Sequence, residues 1–268
     1  MFSNLFHMEL IRYTKNKSAL ASVILTLFLY IFSFLFFKLE LLIMQGSDSL
    51  YEEEYVVLQN FALQALTSMF AFFMGISVIL TTTSFYKNRI YYNVNGVISS
   101  RIKLFFADLT VLFVIAASGT AVVVLYSFLV GRHLNGHWIF LRSNTMLIFA
   151  ILFVFTRIFF CILGGFALSH LFRRAALAIS VALAFQSVQG VLFFATTVYI
   201  RSQLGDDMSS NPFAAAIGSL EAPTMALLNV ACGADSPLMP GTTLAITSVP
   251  FAIIFIVATI AAGRRIEV

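Results

Sequence analysis

Residues 143–169 read SNTMLIFAILFVFTRIFFCILGGFALS, 27 positions with a single charge, Arg157. An α-helix of that length rises roughly 40 Å, and about 20 apolar residues already cross the hydrocarbon core of a bilayer. A helix lying on a soluble core keeps a polar face, and this run has none. Working outward, the same kind of run recurs at 104–130, 61–83 and 19–37 on the N-terminal side and at 175–199 and 242–262 on the C-terminal side. These runs account for a chain of 268 residues that is 60% hydrophobic and 10% charged, where a soluble domain has roughly 45–50% and about 25%. The composition excludes a soluble fold and leaves no room for a sizeable extramembrane domain. The 30 Phe against 9 Tyr and 1 Trp suit hydrocarbon better than a wet surface. The expected fold is an all-α integral membrane protein, a single transmembrane domain over 1–268 with six transmembrane helices.

Lysine and arginine sort by loop. With the N-terminus inside, eleven of the 16 (Arg12, Lys15, Lys17, Lys87, Arg89, Arg101, Lys103, Arg173, Arg174, Arg264, Arg265) fall on the inner side. Four (Lys38, Arg132, Arg142, Arg201) fall outside, and nine of the 12 acids join them there. By the positive-inside rule both termini are expected in the cytoplasm, with the chain multi-pass in the plasma (inner) membrane. The basic residues form small groups between apolar runs and no single stripe, which argues against a nucleic-acid partner. The run after Lys17 is too long for a signal-peptide core and lacks an A-x-A-like exit, so it is expected to stay as an anchor. Cys161 and Cys232 have neither a disulfide framework nor metal-ligand spacing.

The long segment 200–241 holds four of the five prolines and is expected outside. Within it, residues 213–232, FAAAIGSLEAPTMALLNVAC, are apolar enough for a seventh span. Glu221 and Pro223 near their middle oppose that, since a central carboxylate costs about 3 kcal/mol on insertion scales. An extracellular helical hairpin between spans five and six is the expected form. At the other end, residues 1–18 put Phe2, Leu5, Phe6, Leu10 and Tyr13 near one helical face, with Glu9, Arg12 and Lys15 assigned elsewhere. That segment reads either as an amphipathic interfacial elbow helix or as an ordinary charged flank of span one.

Between spans two and three, residues 85–113 read FYKNRIYYNVNGVISSRIKLFFADLTVLF, aromatic and basic, with a turn signal at Asn95-Gly96. In Asn95, Gly96, Val97, Ser100, Arg101, Phe105 and Phe106 the chain resembles permease subunits of the ABC-2 type ABC transporter family. Those carry a small-Gly-x-Ser-Arg segment and an aromatic helix start at this place, with about one residue fewer between Val97 and Ser100. The amphipathic N-terminus, the six spans and the long outer loop extend the resemblance over the whole chain. It implies that 84–103 is a cytoplasmic coupling loop, with Arg89, Asn95, Gly96, Ser100 and Arg101 against an ATPase subunit and Arg173 at a second, shorter contact. It further implies cytoplasmic ABC ATPase subunits and a second permease copy or homologue as partners. ATP and Mg would then be bound by the partner subunit, with no cofactor in this chain. A basic loop that merely fixes topology is the plainer reading of both segments.

Arg157 lies near mid-depth of span four, where a charge is costly and faces a bundle interior or wet cavity. Gln186 and Gln189, three apart near the middle of span five and so on one face, are its expected partners. The group reads as a substrate path or as a polar clamp between helices, and Gln64 at the outer start of span two reads as cavity-lining or as a cap. Gly164-Gly165 and Gly190 permit close helix approach or a kink. No G-x-x-x-x-G-K-[ST] run is present, nor H-E-x-x-H or G-x-S-x-G, so the chain is expected not to be an enzyme. Scarce intramembrane charge favours a hydrophobic or amphipathic cargo (peptide, toxin, lipid or drug) moved out of the cell by alternating access. Export of a polysaccharide or glycolipid, or a carrier or scaffold role without ATP coupling, are the other readings. A carrier usually needs intramembrane acids, which are few here.

Overall fold

The computed structural model describes residues 2–17, 52–88, 101–134 and 144–185, with single helical positions between 20 and 35 and between 256 and 260. Everything described is helical or a short link between helices. In chain order these are α1 (Phe2–Thr14), α2 (Glu52–Lys87), α3 (Arg101–Leu134), α4 (Asn144–Phe172) and α5 (Ala175–Phe185). Three contain stretches long and apolar enough to cross a bilayer, Leu66–Lys87, Lys103–Leu129 and Asn144–Phe172. The chain is a membrane protein.

Ring contacts and close approaches fix the register. Ser68, Gly75 and Tyr86 of α2 meet Arg157, Cys161 with Gly165, and His170 of α4, a nearly constant offset, so α2 and α4 run parallel. Phe105 meets Phe166, Phe113 meets Phe155 and Phe159, and Gly119 sits beside Ile158 and Phe70; α3 therefore runs antiparallel to both. The α2–α4 contact is the most extensive and α2 is the most enclosed helix, with 67% of its apolar window buried against 33% and 28% for α3 and α4. Phe153, Val154, Ile158, Ile162 and Phe166 of α4 and Leu66, Phe70, Ala71 and Val78 of α2 form the middle of the core. The outer side of α3 (Phe106, Phe113, Val122, Leu125, Leu129) stays exposed, as a lipid-facing side does.

Hydroxyl residues inside apolar helices need a local acceptor, and the backbone supplies it. Ser77 donates to the Phe73 carbonyl at 2.9 Å, Thr81 to Ser77 at 2.8 Å, Thr120 to Ala116 at 2.8 Å and Ser169 to Gly165 at 2.5 Å, each one turn back.

Helix bounds depart from the sequence-based spans at several ends. Helix α2 begins at Glu52 where a loop was expected to run to Asn60; three glutamates open it, at the end of a helix where acidic residues are favoured. Helix α3 takes in Arg101, expected in the loop, and α4 continues past Ser169 to Phe172. The α4–α5 link is only Arg173-Arg174. Arg173 has φ 52° and its N–H bonds to the Ser169 carbonyl at 2.9 Å, the left-handed stop of a helix C-terminus. The Arg174 carbonyl accepts from Ala178 at 3.1 Å and opens α5. Span one is helical at Leu20, Ile24, Phe28, Ile31 and Leu35, all exposed. The second half of span five, the segment 200–241 with its hairpin, most of span six and the loop residues 89–100 lie outside the described residues.

Candidate functional site

The N-terminal helix, the end of α2, the start of α3 and the α4–α5 link converge at one end of the bundle. The exposed Lys15, Lys17, Lys87, Lys103 and Arg174 lie there too, and the polar side chains that join the elements are interior.

Helix α1 turns Phe6, Leu10 and Tyr13 to the core. Its hydrogen bonding stops at Lys15, whose N–H reaches the Ile11 carbonyl at 2.9 Å, and restarts where Asn16 accepts from Leu20 at 3.0 Å. Asn16 is thus the cap of the next helix, and its Nδ2 donates to Ser84 Oγ of α2 at 3.4 Å. The structure thus shows α1 and the next helix separated by a break at Lys15-Asn16. Tyr13 Oη lies 3.4 Å from Thr82 Oγ1 and its ring meets Phe85 edge-on at 6.0 Å.

The charged residues of α1 sit differently from expectation. Glu9 and Arg12, assigned away from the apolar face, are largely inside: Glu9 is 0% exposed and the Arg12 side chain 13%. The physical reason is spacing, since Glu9 falls three after Phe6 and four before Tyr13 on the same stripe. Arg12 donates to Glu9 Oε1 and lies over the Phe85 ring, 5.6 Å from its centroid. Opposite Glu9 stands Asp108 of α3, also 0% exposed, its carboxyl within hydrogen-bonding reach. Burial pushes the Glu9 carboxyl above its ordinary range while Arg12 pulls against it. Burial likewise holds the Tyr13 phenol well above its usual value, so Tyr13 stays neutral.

On the other side, Tyr86 Oη is hydrogen-bonded to Nδ1 of the buried His170. The Phe166 ring meets the imidazole edge-on at 4.3 Å. The Arg173 guanidinium caps the Tyr86 ring at 5.4 Å, an arrangement in which the ring quadrupole attracts the cation. Arg173 therefore belongs to this end of the bundle, and Arg101 opens α3 there. Arg89, Asn95, Gly96 and Ser100 lie outside the described residues.

Arg157 forms a separate group. It stands 13 residues after Asn144 and 15 before Phe172, roughly 20 Å from either end of α4. It is half-buried, and its Nη2 donates to Ser68 Oγ of α2 at 3.4 Å. Gln186 and Gln189 lie outside the described residues, as does the side chain of Gln64; the hydrogen bond described for the arginine is to Ser68 on α2. Ser68 carries no signal that separates it from any other hydroxyl residue in an apolar run. Among the described residues no group of three or more His, Cys, Asp or Glu could hold a metal.

The geometry thus offers two things: an interlocked polar platform at one bundle end, and an arginine at mid-depth bonded to Ser68. Comparison of the chain with protein-family models, curated proteins and solved structures gives no match.

Proposed function

We propose that this chain is the permease subunit of an ATP-driven exporter of the ABC-2 type, with hydrolysis performed by separate cytoplasmic ATPase subunits. Two copies, or one copy and a homologue, form the route, and a hydrophobic or amphipathic substrate leaves the cell by alternating access. The observation that carries the reading is the convergence at one end of the bundle. Helix α2 ends there and α3 begins there, so the connecting segment expected to dock on the ATPase hangs from helices tied to α1 and to the α4–α5 link. A push on that segment is passed to α4 through Tyr86, His170 and Arg173, and to α1 through Tyr13, Thr82 and the Asn16–Ser84 bond. Packed helices transmit such a push because they slide as rigid bodies. Arg157 is the group on the route that an approaching substrate meets at mid-depth.

The test is co-expression with ATPase subunits. A complex should survive purification, and Gly96→Pro or Arg101→Glu should lower permease-stimulated ATP hydrolysis by at least about fivefold, the low end of ordinary coupling energies. Unchanged coupling after replacing the whole of 89–101, or purification with no ATPase under conditions that keep complexes, rejects the reading.

A further inference from the structure

The structure assigns a proton-binding site to Glu9 and Asp108, at which one shared proton latches the N-terminal helix onto α3. The site does not depend on which partner drives transport.

Both carboxyls are fully buried and face each other across the α1–α3 contact. Arg12 occupies Glu9 Oε1. Glu9 Oε2 and both Asp108 oxygens have no hydrogen-bond donor among the described residues. A carboxylate only accepts, so two ionised groups placed this way leave three buried oxygens unsatisfied and repel one another. One proton changes that: protonated Asp108 donates to Glu9 Oε2, and the trio Glu9, Arg12 and Asp108 becomes neutral overall. The other groups that bear on the pair are few. Among the described residues they are Arg12 and the neutral Tyr13 from α1, with the Thr82 hydroxyl of α2 engaged by Tyr13.

The sign of the pH dependence follows from the burial. Burial raises the Glu9 carboxyl, so the docked state holds more protons than the undocked one, and docking is complete below the ordinary carboxyl range and weakens as pH rises. Deprotonation leaves a net negative charge buried between α1 and α3, and relief comes from lifting α1 into water.

The experiment is amide hydrogen exchange on the full-length protein in phosphatidylcholine nanodiscs from pH 6 to 10, corrected for intrinsic exchange rates. The peptide covering residues 2–14 is followed, with residues 71–79 and 158–166 at the α2–α4 contact as internal reference. Wild type should lose at least about tenfold of its α1 protection as pH rises, while the reference is unchanged. Asp108→Asn places a fixed donor against Glu9 and should stay protected at pH 10 with no step; Glu9→Gln, which donates the other way, should also remove the step. A flat wild-type profile overturns the proposal, and that outcome needs neither variant to fold. So does the same step surviving in Asp108→Asn, or a step that moves when sodium chloride is replaced by choline chloride at equal ionic strength, which marks a metal cation.

Discussion

Arg173 is a non-glycine residue in the left-handed region, a conformation that costs an L-residue roughly 1–2 kcal/mol. Its guanidinium on Tyr86 offsets that by about 0.5–1 kcal/mol. The two contributions separate by substitution. Arg173→Ala keeps the strain and loses the ring contact, so it should be the less stable variant. Arg173→Gly loses the contact but relieves the backbone, and should melt closer to wild type, by about 1 kcal/mol, in a thermal unfolding assay in detergent. The order of the two variants, more than either value, is what the geometry fixes. Arg157 has the opposite character, because a mid-depth cation is costly to the fold and its removal relieves the bilayer of a charge. Arg157→Leu is expected to express and assemble at least as well as wild type while transport into inverted vesicles falls by at least about tenfold, a 1.4 kcal/mol effect. A fully active Arg157→Leu protein returns the residue to a packing role.

Between helices, the tightest constraint is the α2–α4 crossing. A Cβ added at Gly165 would lie 2.5 Å from the Gly75 carbonyl oxygen, and one added at Gly75 would lie 2.9 Å from the Cys161 carbonyl oxygen. Both obstacles are backbone, which cannot rotate aside. Gly165→Ala must therefore part the helices and is expected to destabilise by about 1–3 kcal/mol, with Gly75→Ala close behind. At Gly119 the added carbon meets the Phe70 ring at 2.7 Å; a ring can swing, so Gly119→Ala should cost less. Small-residue contacts of this kind are how helices associate in lipid, where apolar packing brings no gain over the solvent. The Gly164-Gly165 pair was legible in sequence as a place of close approach or of a kink, and at Gly165 the structure shows close approach. Its partner on α2 was not, since Gly75 is one small residue among several and only the register selects it. The same division holds at α1. The apolar stripe of α1 was readable from Phe6, Leu10 and Tyr13, and the helical spacing that places them, about 100° per residue, already puts Glu9 among them. That Glu9 faces Asp108 is a contact between residues 99 positions apart in the sequence, and no local pattern carries it.

At the scale of the whole molecule, apolar runs and flanking charges were the readable part, because transfer of side chains into hydrocarbon dominates the energetics and acts on each segment alone. Helix ends were less readable, as at Glu52, since a helix continues into the interface without any change of period. Orientation is the property that links the charge pattern to the platform. Lys15, Lys17, Lys87, Lys103, Arg173 and Arg174 gather at the end where α2 stops and α3 starts, while α4 starts at the opposite end with Asn144-Thr145. Basic residues near span ends resist translocation, so the platform end should face the cytoplasm. Exposed positions at the two ends allow a direct measurement in intact cells. In a background with Cys161→Ser and Cys232→Ser, Asn144→Cys should react with a membrane-impermeant maleimide added outside, and Lys87→Cys and Lys103→Cys should react only after permeabilisation. Labelling of Lys87→Cys from outside would invert the molecule and place α1, Arg173 and the α2–α3 connection where no cytoplasmic ATPase reaches them, ending the coupled-exporter reading. The proton latch between Glu9 and Asp108 would survive that inversion, because it rests on the burial and pairing of the two carboxyls and would then answer to the external pH.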